Sequence, residues 1–108
     1  MNRPLKFRVW DLTVCKYIEG WPFYVGEINF GDEVIIEQFT GLHDSDGKEI
    51  WEGDLLESAV PSKRPAEEVF FEDGTFKVGT WPLHILFKLL TANGHTWKVV
   101  GNIFEGEK

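Results

Sequence analysis

Six carboxylates crowd into the seventeen residues Gly41–Glu57, namely Asp44, Asp46, Glu49, Glu52, Asp54 and Glu57, against a single base, Lys48. Carboxylates this dense could hold a hard cation, exchange protons or meet a basic partner. The metal reading rests on Asp44-Ser45-Asp46-Gly47, which has the look of a calcium loop. With Gly47 at the sixth position of such a loop, Leu42 falls on the first and Gly53 on the twelfth, and neither carries a ligating side chain. A turn whose Asp side chains bond nearby backbone N–H groups accounts for the motif. Glu52 and Asp54, two apart, would share one face of a strand, but without a pocket the pair gives no acid–base chemistry.

The other chemistry-bearing residues are scattered. His43, His84 and His95 have neither i, i+4 nor finger-like zinc spacing, and Cys15 is remote from them. Cys15 has no nucleophile signature around it and reads as a small buried thiol. Ser45, Ser58 and Ser62 lack a Gly-x-Ser-x-Gly context. Gly41, Gly47 and Gly53 are spaced for turns and lack the lysine and hydroxyl of a phosphate loop. Aromatic and basic residues interleave at Lys6-Phe7-Arg8-Val9-Trp10 and again at Phe76, Lys77, Trp97 and Lys98. A nucleic-acid surface could stack bases on such a pattern. Simple strand alternation, aromatics inside and Lys or Arg outside, explains it more economically. No catalytic residue, metal or cofactor is assigned. The candidate interaction surface consists of Trp10, Trp21, Trp51 and Trp81 with Asp44, Asp46, Glu49, Glu52 and Asp54.

Composition bounds these readings. The chain has 108 residues, 43% of them hydrophobic, with nine Phe, five Trp and two Tyr. That is globular, and the large aromatics let a small domain bury much apolar area per residue. The net charge of −7 is uneven: Glu27–Glu57 holds ten acids against Lys48, and the remainder is slightly basic. An acidic middle disfavours nonspecific binding to phosphate backbones. One cysteine allows no intrachain disulfide, and the start of the chain has no apolar signal-peptide core. The longest apolar stretch, near Leu83–Leu90, is too short for a membrane span. The expectation is a soluble protein of the bacterial cytoplasm.

The elements that must position these residues are mainly strands. Lys6–Val9 alternates basic and apolar residues as a strand, and Val14–Ile18 reads as its return. Gly20-Trp21-Pro22 is a breaker, Phe23–Phe30 another strand, Gly31-Asp32 a turn, and Val34–Phe39 a β-branched strand. Asp46-Gly47 and Gly53-Asp54 turn the chain, and Leu55–Val60 begins the next strand. Pro61–Pro65 has the composition of a mobile loop tip. Glu68–Glu72 and Thr75–Gly79 about Asp73-Gly74 form the strongest hairpin signal. Trp81–Leu90 reads as one short helix, with Leu83, Leu86, Phe87 and Leu90 on one face, or as a strand if β context prevails. Thr96–Phe104 closes as a strand with a bulge near Gly101. The sum is a mainly β fold: a small, partly closed SH3-like barrel over 41–108, with a β-rich N-terminal part over 1–40, packed as one unit.

Three blocks, Phe7-Arg8-Val9-Trp10-Asp11, Gln38–Asp54 and Val99–Glu105, resemble the YopX family of phage and prophage proteins in order and spacing. The resemblance implies a mostly β fold with an SH3-like barrel in its C-terminal part, and no established biochemical role. Trp51 stands where the family usually has Tyr, and the usual Asn-Pro-containing tail is replaced by Gly106-Glu107-Lys108.

The expected function is therefore a non-enzymatic protein-interaction module that binds a protein partner or itself through aromatic and acidic surface. Direct nucleic-acid binding is disfavoured. The alternatives are nucleic-acid binding or an acidic mimic of nucleic acid, and a small enzyme whose site is assembled only in the fold.

Overall fold

The described residues form two β-sheets. A computed structural model describes residues 6–18, 34–58 and 65–107, so the expectations for 20–32, including Trp21, and for the loop tip 61–64 lie outside the described residues. The first sheet has the order β2 (Lys16–Tyr17), β1 (Phe7–Asp11), β3 (Val34–His43), β4 (Glu49–Trp51). The second contains β5 (Asp54–Ser58), β6 (Glu67–Glu72), β7 (Thr75–Val78), β8 (Trp81–Pro82), β9 (Trp97–Asn102) and β10 (Gly106–Glu107). Its order, β10-β9-β5-β6-β7-β8, curls into a half-barrel whose edges β10 and β8 are not paired to each other. The first sheet thus runs past residue 40 to Trp51, and the second begins at Asp54.

Local chemistry explains most elements. β6 and β7 pair through Phe71↔Phe76 and Glu72↔Thr75 about Asp73-Gly74. Both turn residues have positive φ, 54° and 79°, the mirror-image turn whose twist matches that of the strands. Helix α1 (Leu83–Ala92) follows Pro82, whose φ of −58° suits a helix start, and resolves the ambiguity over Trp81–Leu90 in favour of the helix. Leu83 and Leu90 are buried, and Leu86 and Phe87 pack on the same cluster as Ile50, Leu56, Val69, Phe76, Val78 and Trp97. Asn93 closes the helix, its side-chain amide donating to the Leu89 carbonyl at 2.8 Å. The register of β5 on β9 slips between Leu55 and Leu56, leaving Val100 as the extra residue of a bulge beside Gly101.

The acidic run fastens the two sheets together. Asp44 is buried and uses both carboxylate oxygens: Oδ1 accepts the N–H groups of Asp46 and Lys48 at 2.9 Å, and Oδ2 that of Val99 on β9 at 3.0 Å. Ser45 adds a reciprocal pair with the Trp97 backbone. Burial alone would raise Asp44, but the three N–H donors outweigh it and hold its carboxyl below the usual range. Asp44→Ala leaves these donors without their acceptor and is expected to cost about 2 kcal/mol in a urea melt. Asp44→Asn, which keeps one acceptor oxygen, should cost less.

Two expectations about burial are corrected. Arg8, assigned by alternation to the outside of β1, has a side chain only 14% exposed, while Phe7 is 39% exposed. β1 lies between β2 and β3, and Val9 and Trp10, which point to opposite faces, are both buried, so alternation cannot mark one wet face. Cys15, expected to be buried, is exposed in the β1–β2 turn.

Candidate functional site

The densest polar chemistry lies where the two sheets meet. Arg8 on β1 pairs with Glu37 on β3, which stands directly opposite it, and reaches Asp54 at the start of β5. Its Nε donates to Glu37 Oε1 and one Nη to Asp54 Oδ1, both at 2.8 Å; that Nη also donates to the Glu52 carbonyl at 3.3 Å. Tyr17 on β2 donates its hydroxyl to Glu37 Oε1 at 2.9 Å. The guanidinium lies 4.5 Å from the Tyr17 ring centroid and 5.3 Å from that of Trp51, so two aromatic faces cover it. Asp54 Oδ2 accepts the Trp51 N–H at 2.8 Å, which fixes the turn that enters the half-barrel.

Electrostatics here are those of a buried network. Glu37 is 2% exposed and Asp54 3%. Burial raises both carboxyls above the usual range despite Arg8, which opposes the shift. Burial would lower Arg8, but Asp54 and Glu37 together raise it. Tyr17 is raised well beyond the ordinary phenol range, by burial first and by Glu37 next, against Arg8, and so remains a donor. Perturbed acids of this kind mark both catalytic sites and structural ion networks.

Beside this network an open cleft of about 480 Å³ separates β4 from β9, with Arg8, Tyr17, Trp51, Asp54, Val100 and Asn102 among its lining. Several of its polar side chains are engaged, while Lys48 also lines it. Arg8 is held as above, Lys6 reaches Glu49, and Asn102 donates to Glu105. Among the described residues no three His, Cys, Asp or Glu side chains gather as metal ligands. Cys15 is in a surface turn with its thiol toward the Leu12 carbonyl.

The proposed surface residues are dispersed. Trp10 is buried, stacked on Phe104 at 4.7 Å and edge-on to Tyr17 at 4.9 Å, so it joins the sheets instead of facing outward. Asp44 and Asp54 are likewise buried. Glu52 caps the Gln38 N–H at 3.1 Å, and Asp46 lies 3.7 Å from Lys98. Trp51 is half-buried at the cleft, and Trp81 is 46% exposed beside α1. Sequence reasoning missed Arg8, Tyr17 and Glu37 as a unit. Hydropathy gave no cue, because in Ile35-Ile36-Glu37 the two isoleucines are exposed and the acid is buried, the reverse of what residue type suggests.

A family model described as YopX protein matches residues 24–107. Among solved structures, protein EF1440 from Enterococcus faecalis is similar to this chain, with 25% sequence identity, a TM-score of 0.65 and 96% of each chain covered. No curated protein matches this chain.

Proposed function

The chain belongs to the YopX family, and we propose that it serves as a non-enzymatic protein-interaction module of phage or prophage origin, working in the cytoplasm of a bacterial host. The observation that carries this reading is the contrast between its ionised and its apolar groups. The buried acids and Arg8 are bound to one another or to backbone, so the perturbed carboxyls are committed to holding the two sheets together. Large apolar side chains meanwhile stay exposed, among them Ile35, Ile36, Trp81, Ile85 and Leu89. Exposed apolar patches of this kind mark interaction surfaces.

Several finer points support the reading. The half-barrel is taken as the SH3-like barrel implied by the family resemblance; such barrels host many functions, so the site must decide. No helix among the described residues is long and apolar enough to cross a membrane, and the single cysteine suits a reducing compartment. Burial of Asp44 and Asp54 takes away two acids that a nucleic-acid mimic would need to present.

Photo-crosslinking side chains placed at Ile35, Trp51 and Trp81 in the host cell, with light scattering on the purified protein, test the reading. Expected is a discrete crosslinked protein, another chain or a second copy, from at least one position. A monomer at millimolar concentration with no crosslink from any of the three overturns it.

A further inference from the structure

We propose that the outward face of α1 docks an acidic amphipathic helix of a partner protein, an inference that rests on the interaction-module reading. α1 is apolar on two sides. Leu83, Leu86, Phe87 and Leu90 turn inward to the core. On the opposite side Ile85 and Leu89, one helical turn apart, are 40% and 44% exposed; Trp81, 46% exposed on β8 just before the helix, borders the groove with Leu86 and Leu90. The outer face of a surface helix is ordinarily polar.

Charge selects the occupant. From Gly74 to Phe104 the chain holds none of its 18 acidic residues, only Lys77, Lys88 and Lys98. Lys77 is already paired with Glu72 and Asp73, and Lys98 lies near Asp46. Lys88, exposed on α1 beside the Ile85–Leu89 stripe with His84 along the same flank, has no carboxylate partner among the described residues. An apolar stripe with a basic border, on a protein of net charge −7, is complementary to a helix with an apolar i, i+3/i+4, i+7 face bordered by Glu or Asp. A second copy is the poorer fit, because a twofold through Ile85 would bring two Lys88 side chains together.

The test uses two fluorescein-labelled helical peptides with the same leucine stripe, one bordered by Glu and one by Lys, and fluorescence anisotropy with the full chain. The Glu-bordered peptide is expected to bind, more weakly as salt rises. Lys88→Glu should weaken it about threefold to tenfold, and Ile85→Asp and Leu89→Gln should abolish it. These positions are exposed, and circular dichroism confirms the fold of each variant. Failure of the Glu-bordered peptide to bind, equal binding of the Lys-bordered one, or indifference to Ile85→Asp overturns the inference. So does a dimer in sedimentation equilibrium that Ile85→Asp dissociates, or Ile85-dependent partition onto phosphatidylglycerol vesicles. Crosslinks from Ile35 or Trp51 alone would keep the interaction module while removing α1 as its docking face.

Discussion

Arg8→Ala is expected to lower the unfolding free energy by about 3–5 kcal/mol, because it leaves Glu37 and Asp54 as uncompensated charges in the interior. Both carboxylates are almost fully buried, so solvent does little to screen the loss. The same change removes the hydrogen bond to the Glu52 carbonyl and the cation between the Tyr17 and Trp51 rings. Lysine cannot restore the arrangement. It offers one point charge where the guanidinium donates to two acids on two different sheets, so Arg8→Lys should recover only part of the deficit in a urea melt.

The deficit carries a pH signature. Burial, the leading cause, raises the carboxyls of Glu37 and Asp54, and Arg8 opposes it. A raised acid binds its proton more tightly folded than unfolded. Its stabilising contribution is complete below the unfolded value and is lost as pH rises through the folded one. Without Arg8 both values climb further. The gap between wild type and Arg8→Ala should therefore be widest at neutral pH and shrink in acid, as the two raised acids take up protons. Asp44 runs the other way. Held below the usual range by its N–H donors, it contributes stability that is lost only as pH falls through its depressed folded value. A gap independent of pH would mean that Arg8 acts by packing alone.

How far the sequence discloses this arrangement depends on the range of the forces involved. The Asp73-Gly74 hairpin, the helix after Pro82 and the bulge near Gly101 are set by neighbours in the chain and are readable there. The Asp44 turn is legible for the same reason, since two of its three hydrogen bonds go to Asp46 and Lys48. Its third, to Val99, crosses 55 positions and leaves no local trace. The Arg8 network is wholly non-local, joining β1, β2, β3 and β5. Binary patterning assigns Arg8 to solvent and the isoleucines beside Glu37 to the core, because it prices single residues and not pairs. Both assignments reverse once opposite charges meet across two strands and a sheet boundary. The acidic run misled in the same direction: its density suggests a surface, yet Asp44 and Asp54 are buried because each faces donors supplied by the fold.

Gly53→Ala is the second substitution expected to be severe, at about 3 kcal/mol or more. Gly53 has φ +87°, which an alanine adopts only at a cost of about 1–2 kcal/mol. Space adds a second cost. A Cβ there would stand 1.8 Å from Glu37 Oε2 and 2.8 Å from its carboxyl carbon, so the carboxylate must move and with it the bonds to Arg8 and Tyr17. Gly53 also ties the sheet together through its backbone, donating to the Val69 carbonyl and accepting from the Ile103 N–H. Gly74 supplies the comparison: φ is +79°, but nothing lies within 4 Å of a Cβ, so Gly74→Ala should show the backbone cost alone. The steric part can be isolated by a double-mutant cycle with Glu37→Ala, which vacates the space. In that background Gly53→Ala should fall to about the Gly74→Ala value, a coupling of 1 kcal/mol or more. An additive cycle would show that the carboxylate does not rest on Gly53, and that the turn and the charge network are independent features of the fold.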